Sequence, residues 1–409
     1  MRVCHVTNNL VGYHKAWGGA EQAADRIIRL LEKNGIENMV LATKPLREVK
    51  ESFEFYSVPV IQDFIGEHLG SLFKRPYDLV AYNYCYNLLK EKKPDLVLLY
   101  NFGNIGFGVI LAAKKLNIPV IFIACDFWFL CPLQTLIKKD GTNCTDFHSY
   151  RCIDCLENKR DLLQKISLRW RKNLFDKYFF SKVDRIIVLA DYWKDLLKKY
   201  GLSQEKIKVI PLPLKKERVK KEKVEKDSIL YTGWIVPRKG LHIVLEAMPE
   251  ILKKIPNIKL YVIGENDPSE IEYKNKIDKI ISENKLEKNV FLLGKKPYKE
   301  VQRIVQKSEL VVVPEQWQIA LSTFMNEAMI YGKPVVASRI GGIPEYLQDG
   351  KCGLLAEPRD SKDFAQKIIN LLKNKQRAKN MGRNAALFMS KKTDERKIFD
   401  ELNNVYKDL

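Results

Sequence analysis

A strand–helix–strand pattern in the second half of the chain constrains its fold most strongly. Residues 310–313, LVVV, form a short apolar run that predicts a buried strand, and Val335–Ala337 predicts a second strand. Between them, apolar residues recur at helical spacing at Leu321, Phe324, Met325, Ala328 and Met329. Gly332 and Pro334 predict the end of this helix. Two strands joined by a helix are the building block of a parallel sheet, so the pattern indicates an α/β fold.

The loop between the first predicted strand and the helix is a candidate ligand site. Parallel sheets bind ligands beyond the carboxyl ends of their strands, where the loop from Glu315 to Ser322 is expected. Ser322 and Thr323 begin the predicted helix, whose first backbone N–H groups favour a phosphate. Glu327, one turn further on, can accept hydrogen bonds from sugar hydroxyls. The same spacing also fits one more helix of an α/β core.

The motifs of this stretch resemble the signature of the family-4 glycosyltransferases, which are retaining enzymes of the GT-B fold. The signature is a Glu, seven residues, a second Glu followed by Ala-Met, then Gly-x-Pro-Val-Val-Ala and Gly-Gly-x-Pro-Glu. The segments 327–329, 332–337 and 341–345 match it in order and spacing. The first Glu of the signature is absent, because Ile319 stands at its position.

The resemblance implies an α/β protein of the GT-B class, with two Rossmann-like domains whose parallel sheets face each other across a cleft. A chain of 409 residues is long enough for two domains of about 200 residues each. Prolines and a dense run of charges after Ile210 predict a linker. We expect an acceptor-side domain over 1–212 and a nucleotide-sugar donor domain over 213–389. The final helix, 390–409, is expected to pack back on the first domain.

A glycine pair follows the first predicted strand, which covers Arg2–Thr7. Gly18-Gly19 opens a predicted helix, and glycines at such a turn let the backbone approach a ligand closely. Many α/β proteins have a turn of this kind. Together with Glu21, the pair matches the Gly-Gly-x-Glu motif of the family, whose loop faces the diphosphate of the donor. The resemblance therefore implies that Gly18, Gly19 and Glu21 bind the donor.

A second candidate site follows the predicted strand Val120–Ala124. Members of the family usually have His-Asp here, and the His contacts the donor sugar. This chain has Cys125 and Asp126. A thiol cannot reproduce the hydrogen bond of an imidazole at the same reach, so we interpret Cys125 as a small buried residue in preference to a sugar contact. Asp126 is assigned to orienting the acceptor or the donor.

A third candidate site follows the predicted strand Ser228–Thr232. The family has Gly-Arg, four residues and Lys-Gly here, and its two cations neutralise the leaving diphosphate. Gly233, Lys239 and Gly240 match, Trp234 stands in place of the Arg, and Arg238 lies beside the Lys. Fixed positive charge is the chemistry that a leaving diphosphate requires, so Lys239 and Arg238 are the candidate catalytic residues. Trp234 is expected in the core in preference to stacking on a base.

A cysteine-rich insertion is predicted over 131–155, where four of the eight cysteines lie: Cys131, Cys144, Cys152 and Cys155. Four thiolates can hold a tetrahedral zinc ion, which would close a segment too small to have its own core. Free thiols and a redox-labile pair are the alternatives. A branch of the same family carries a comparable insertion, so the resemblance extends to this segment. The resemblance also implies that no metal ion takes part in the chemistry itself.

Composition limits the class of protein and its partners. The chain is 46% hydrophobic and 29% charged, which is typical of a folded domain, and no run of about 20 apolar residues predicts a membrane span. We therefore expect a cytoplasmic protein. The net charge of +20 would suit an anionic membrane, nucleic acid or substrate, but no nucleic-acid motif accompanies it, and no nucleic acid is expected.

One basic segment, Lys159–Lys182, has an amphipathic pattern with an apolar stripe at Leu163, Ile166, Trp170, Leu174 and Tyr178. Such a helix can lie on an anionic membrane at the inner face, as a peripheral contact. It can equally pack its stripe into the first domain, which is the more common arrangement.

The resemblance implies a retaining, hexosyl-type glycosyltransferase that needs no cofactor other than its substrate. Its donor would be a nucleoside-diphosphate sugar, and its acceptor a hydroxyl group of a glycan, a glycolipid or a small molecule. The alternative is a catalytically degenerate protein that binds a nucleotide sugar or a glycan. Three departures from the family pattern favour this alternative: Cys125, Trp234 and Ile319.

Overall fold

Two parallel sheets organise the chain in the computed structural model, which describes residues 1–14, 18–60, 78–147, 150–155, 172–217 and 222–409. The chain divides into two units. Unit 1 contains Met1–Pro213 and Glu395–Leu409, and unit 2 contains Leu214–Asp394. None of the described helices is long and apolar enough to cross a membrane.

Unit 1 is built on a sheet of seven described strands in the order β3-β2-β1-β4-β5-β6-β7, with every pair parallel. The strands are β1 Arg2–Val6, β2 Glu37–Ala42, β3 Glu54–Ser57, β4 Leu96–Leu99, β5 Val120–Ala124, β6 Arg185–Val188 and β7 Ile207–Val209. Its described α-helices are α1 Gly19–Lys33, α2 Leu79–Lys92, α3 Gly108–Lys115, α4 Asp191–Tyr200 and α12 Glu395–Lys407. Helix α12 contacts α1, where Lys33 Nζ pairs with Glu395 at 2.5 Å.

Unit 2 is built on a sheet of six described strands in the order β10-β9-β8-β11-β12-β13, again all parallel. The strands are β8 Ser228–Thr232, β9 Lys259–Ile263, β10 Val290–Leu292, β11 Leu310–Val313, β12 Val335–Ser338 and β13 Leu354–Ala356. The α-helices are α5 Leu241–Lys254, α6 Ile271–Glu283, α7 Tyr298–Lys307, α8 Thr323–Ile330, α9 Ile343–Leu347, α10 Ser361–Lys373 and α11 Lys375–Lys392. The predicted α/β fold with two parallel, Rossmann-like sheets is thus confirmed.

The order of the strands determines where each sheet can bind a ligand. In unit 1 the chain adds β2 and β3 on one side of β1 and then crosses to β4 on the other side. In unit 2 it adds β9 and β10 beside β8 and then crosses to β11. The connections leave in opposite directions at these two places, which opens a crevice at the carboxyl ends of the two strands. The polar side chains described below lie at these ends.

The core of unit 1 next to β5 is aromatic. Phe179 lies among the rings of Phe107, Phe122 and Trp128, with ring centroids 4.9–6.1 Å apart, and Phe102 meets Trp128 edge to face at 4.9 Å. Aromatic pairs prefer such edge-to-face and offset arrangements. This cluster supports the turn that follows β5, so it bears directly on the position of Asp126.

The interpretation of Lys159–Lys182 is corrected where the structure describes it. Residues 156–171, with most of the predicted apolar stripe and its basic surround, lie outside the described residues. Beyond them, Phe175 and Phe179 are buried, whereas Leu174 and Tyr178 of the predicted stripe are only half-buried. The segment Asp176–Phe180 is a π-helical turn, closed by a hydrogen bond from Ser181 N to Asp176 O. The buried face is thus displaced by one residue from the predicted stripe, from Leu174 and Tyr178 to Phe175 and Phe179.

Candidate functional site

A chain of polar side chains joins the carboxyl ends of β1, β4 and β5 in unit 1. Asn8 Nδ2 donates to Asn101 Oδ1 at 2.7 Å, and Asn101 Nδ2 donates to Asp126 Oδ2 at 3.0 Å. The other oxygen of Asp126 accepts from the backbone N–H of Trp128 at 3.1 Å. Asn8 Oδ1 in turn accepts from the N–H of Asn104 at 2.8 Å. The network fixes Asp126 through neutral donors, at the end of the sheet where a ligand would bind.

The environment of Asp126 favours its protonated form. Burial raises its pKa to about 7, because a carboxylate removed from water loses the hydration of its charge. The hydrogen bond from Trp128 opposes this rise, the nearby carboxylate of Glu21 adds to it, and Asn101 again opposes it. Cys125 is half-buried, and burial together with Asp126 and Glu21 raises the pKa of its thiol. Cys125 was expected to be buried, and the structure shows it only half-buried.

The Gly-Gly-Ala-Glu motif forms the start of α1. Gly18 is the residue before the helix, and its N–H donates to Glu21 Oε2 at 2.8 Å. The Glu21 side chain therefore turns back to cap the helix, and it is buried. A Cβ added at Gly19 would meet no atom within 4 Å, so the backbone there is open to a ligand. Residues 15–17, which precede the motif, lie outside the described residues.

In unit 2 the loops after β8 and β11 meet through an ion pair. Lys239 Nζ donates to Glu315 Oε1 at 2.6 Å, and the indole Nε1 of Trp317 donates to Glu315 Oε2 at 2.6 Å. The guanidinium of Arg238 and the ammonium of Lys239 lie 5.7 and 5.8 Å from the centroid of the Trp317 ring. Both predicted leaving-group cations thus lie at the crevice of this sheet and contact the same aromatic ring.

The turn after β8 corrects the expectation for Trp234. Trp234 is 37% exposed instead of lying in the core, while the next two residues, Ile235 and Val236, are buried. Its carbonyl accepts a hydrogen bond from the Tyr231 hydroxyl at 3.0 Å, which fixes the backbone and leaves the indole outside. Gly233 lies close to Gly264: a Cβ on Gly264, whose φ is +151°, would be 1.9 Å from the Gly233 oxygen. Only glycine fits at that contact.

Helix α8 begins at the predicted place. Ser322 is its N-cap residue, and its Oγ accepts a hydrogen bond from the N–H of Met325 at 3.3 Å. Thr323 is half-buried at the first turn, and Glu327 is buried on the same helix. Ile319 is buried too, and its carbonyl accepts from the N–H of Gly342 at 2.9 Å. The Gly-Gly-x-Pro-Glu motif therefore holds the backbone of the loop in which the expected Glu is replaced.

The four clustered cysteines line one cavity of about 280 Å³ in unit 1. Burial raises the pKa of Cys144, and nearby Cys131 adds to this rise. Ile137 pairs with Asn143 in an antiparallel bridge, so the segment between these two cysteines is a hairpin. Within the described part of the chain, which omits 148–149, no group of three or more Cys, His, Asp and Glu side chains is arranged to hold a metal ion. The cysteines share a cavity, but their sulphur atoms do not form a ligand set.

Several residues of these sites were not identified from the sequence. Asn8, Asn101 and Glu315 each follow a strand within two residues of its end. A polar residue at that position is a signal for a site in a parallel sheet, and it was available in the sequence. The pairing of Glu315 with Lys239 had no sequence signal, since 76 residues separate them.

Two glycosyltransferase family models match the chain one after the other. The model described as Glycosyltransferase Family 4 matches residues 17–218. The model described as Glycosyl transferases group 1 matches residues 214–388. The first match falls almost entirely in unit 1 and the second in unit 2.

Individual relatives and solved structures agree with these matches. An uncharacterised glycosyltransferase of Methanocaldococcus jannaschii is 26% identical over 364 residues, covering 82% of this chain and 94% of the relative. The poly(ribitol-phosphate) alpha-N-acetylglucosaminyltransferase of Staphylococcus aureus is 29% identical, covering 55% of this chain and 44% of the relative. The crystal structure of Anabaena HepE in complex with UDP and glucose superposes with a TM-score of 0.72, at 17% identity, covering 100% of this chain and 99% of HepE.

The raised pKa of Asp126 predicts a pH-dependent stability. The pKa of this carboxyl rises from an ordinary 3.8 to about 7 on folding, so between these values the folded chain holds more protons than the unfolded one. The free energy of unfolding should therefore fall as the pH rises from 5 to 8, by about 2–3 kcal/mol from this group.

Asp126→Asn should remove that contribution, which urea unfolding of both proteins at pH 5 and pH 8 can measure. A hydrogen bond lost in the variant would lower the free energy of unfolding equally at both pH values. It would therefore not change the difference in stability between pH 5 and pH 8. Asp95→Asn, at an exposed residue of unit 1, is the matched control and should behave as the wild type. Parallel pH profiles for Asp126→Asn and the wild type would contradict the prediction.

The zinc site remains a prediction. We expect one zinc ion per chain, held by Cys131, Cys144, Cys152 and Cys155. These side chains line the cavity and would have to move closer together to bind the ion. Elemental analysis of protein purified without added metal measures the zinc, and Cys152→Ser with Cys155→Ser should abolish it. Absence of zinc, together with four thiols that titrate in the native protein, or with two disulfides, would refute the prediction.

Proposed function

We propose that the chain is a glycosyltransferase of the GT-B fold, which transfers a sugar from a nucleoside-diphosphate sugar to a hydroxyl group. The matches of two glycosyltransferase family models, over 17–218 and 214–388, and the fold shared with HepE support this. The acceptor is a glycan, a glycolipid or a small molecule. The configuration of the transferred carbon is retained, and no metal ion takes part in the chemistry. The observation that carries the proposal is the pair of cations, Lys239 and Arg238, at the crevice of the unit 2 sheet.

The cations act on the leaving group. In the reaction the bond between the sugar carbon and the diphosphate oxygen breaks, and a bond to the acceptor oxygen forms. The acceptor proton passes to the leaving diphosphate or to solvent. Negative charge develops on the diphosphate as the first bond breaks, and fixed positive groups stabilise it more than they stabilise the substrate. Lys239 has a side chain that is 21% exposed, so its ammonium can meet a ligand. No covalent nucleophile is assigned.

The remaining donor contacts come from helix starts and one carboxylate. The N–H groups at Ser322 and Thr323 favour a phosphate, and Glu327 on the same helix binds the ribose. In unit 1, Gly18 and Gly19 at the start of α1 offer backbone that a donor group can approach. HepE has been crystallised with UDP and with UDP-glucose, so UDP-sugars are the first donors to test.

The unit 1 network has a role in orienting substrate. Asp126 is held by Asn101 and the N–H of Trp128, so its carboxyl has a defined direction. A carboxyl with a pKa of about 7 is present in both protonation states near neutral pH, and it can therefore donate or accept a hydrogen bond with a sugar hydroxyl. A structure of a TarM variant from S. aureus contains fondaparinux and UDP, so a bound glycan has a precedent among similar folds.

A second function has specific support. Ile319, Trp234 and Cys125 depart from the family pattern, which favours a protein that binds a nucleotide sugar or a glycan without catalysis. An assay of nucleotide-sugar hydrolysis separates the two functions, because a binding protein would be stabilised by the ligand without releasing nucleoside diphosphate.

Lys239→Ala should abolish most of the transfer without unfolding the chain. Loss of one preorganised charged group of this kind lowers the rate by about 10²–10³-fold. Steady-state turnover of the best donor measures the loss, and Lys253→Ala, at an exposed lysine in the last turn of α5, is the control. Near-normal turnover by Lys239→Ala would remove this residue from the mechanism.

Ile319 should make the donor site prefer a deoxy sugar, or a sugar with an apolar edge, over an ordinary hexose. An isoleucine cannot accept a hydrogen bond, so a hexose hydroxyl buried against it would be unpaired, at a cost of about 1–3 kcal/mol. A deoxy sugar, or one with an apolar edge, should bind better, and Ile319→Glu should restore binding of ordinary hexose donors. Calorimetry with both donor types measures this, with Ile319→Leu as the apolar control. If the wild type binds an ordinary hexose donor best and Ile319→Glu gains nothing, the sugar-side argument is wrong.

A further inference from the structure

The carboxylate of Glu315 is almost completely hidden, although the ammonium that it pairs with is not. The Glu315 side chain is 5% exposed and the Lys239 side chain is 21% exposed. A buried carboxylate needs donors on its oxygens, and Lys239 and Trp317 supply one to each. The pair is therefore open to a ligand only on the ammonium side.

The backbone holds the two partners of the ion pair at a set distance. The N–H of Gln316 donates to the carbonyl of Arg238 at 2.8 Å, so the two loops are joined beside the ion pair. Gly240 has a φ of +70°, and a Cβ there would lie 1.8 Å from the carbonyl oxygen of Pro314. Two backbones in contact at this point do not move independently, so Glu315 is a fixed anchor for the Lys239 side chain.

Of the three N–H donors of the Lys239 ammonium, one is directed to Glu315. A lysine side chain has four rotatable bonds and loses much rotamer freedom when it is held in place. Contact with Glu315 and with the face of Trp317 restricts those rotamers before any ligand binds. Electrostatic stabilisation of a transition state depends on charges that are in position beforehand.

We propose that Glu315 is a positioning residue of the leaving-group site: through its contact with Lys239 it holds the ammonium where the charge of the departing diphosphate develops. Trp317 supports this role by holding the second oxygen of the carboxylate. The inference rests on the proposed function, because it needs a diphosphate that leaves. The family signature has a Glu at position 319, where this chain has Ile319. We assign the acidic residue of this loop to position 315 instead, where it acts on the lysine and not on the sugar.

Positioning has a kinetic signature that a purely structural ion pair lacks. Removing the negative charge of Glu315 makes the site more attractive to a diphosphate, whereas loosening Lys239 makes it less attractive. These effects oppose each other in binding. Only the loss of position acts on the transition state, so turnover should fall while affinity stays nearly constant.

The experiment measures kcat and KM for the best nucleotide-sugar donor, and calorimetric binding of UDP, GDP and ADP, in a set of variants. Glu315→Gln removes the charge, and Glu315→Asp keeps the charge but shortens the reach. Trp317→Phe removes the indole N–H while keeping a ring. Glu283→Gln, which alters an exposed carboxylate paired with Lys279 in the same unit, is the control for net charge.

We expect Glu315→Gln to lower kcat by about 10–100-fold, as a misplacement of about 1 Å does, with nucleoside-diphosphate affinity changed less than about threefold. Glu315→Asp, which keeps the charge, should lower kcat similarly and should also weaken nucleoside-diphosphate binding. Trp317→Phe should show a smaller loss of the same kind, which also keeps the test valid if a Glu315 variant fails to fold. In a Lys239→Ala background, Glu315→Gln should cause no further loss, because its effect passes through the lysine.

Three results would overturn the inference. One is normal turnover by Glu315→Gln and Glu315→Asp. Another is an equal loss of turnover from Glu315→Gln in the presence and absence of Lys239, which would mean that the carboxylate acts on its own. The third is a wild type that binds no nucleoside diphosphate and turns over no donor, which would refute the proposed function as well. The first two leave the proposed function intact, so the failures are distinguishable.

Discussion

The crevice beside the first strand of each sheet is the constraint on which both sites depend. A parallel sheet that grows first on one side and then on the other separates the loops that follow its two central strands. In unit 1 those loops contribute Asn8 and Asn101, and in unit 2 they contribute Lys239 and Glu315. Each pair bridges the gap through a side-chain contact. The topology thus selects which residues can meet, and their chemistry determines what the gap can bind.

Each sheet has a carboxylate at its crevice, and the two carboxylates have different surroundings. Asp126 is held by neutral N–H donors and lies near a second carboxylate, so its environment favours the protonated form. Glu315 faces an ammonium and an indole N–H, which donate to its two carboxylate oxygens. The first arrangement suits a group that exchanges hydrogen bonds with hydroxyls. The second suits a fixed counter-ion, which can orient a cation.

The three departures from the family signature have different structural consequences. Ile319 is enclosed by the loop and held through its backbone by the glycine motif. Trp234 leaves the core and exposes its indole, because the Tyr231 hydroxyl holds the backbone at that turn. Cys125 is half-buried beside Asp126. None of them interrupts the strand that precedes it, so the fold accommodates all three.

The sequence by itself determined the secondary structure wherever a regular period persists. Val120–Ala124 and Ser228–Thr232 are strands with the predicted bounds. A parallel sheet is covered on both faces, so its strands appear in the sequence as short, mainly apolar runs. Strands β2 and β3 were not predicted, and the buried face of the segment before Ser181 falls at Phe175 and Phe179 instead of Leu174 and Tyr178. Only the tertiary structure decided that Lys239 meets Glu315 and that Asp126 meets Asn101. Those contacts join distant segments through the strand order, and local sequence carries no information about which loop ends lie together.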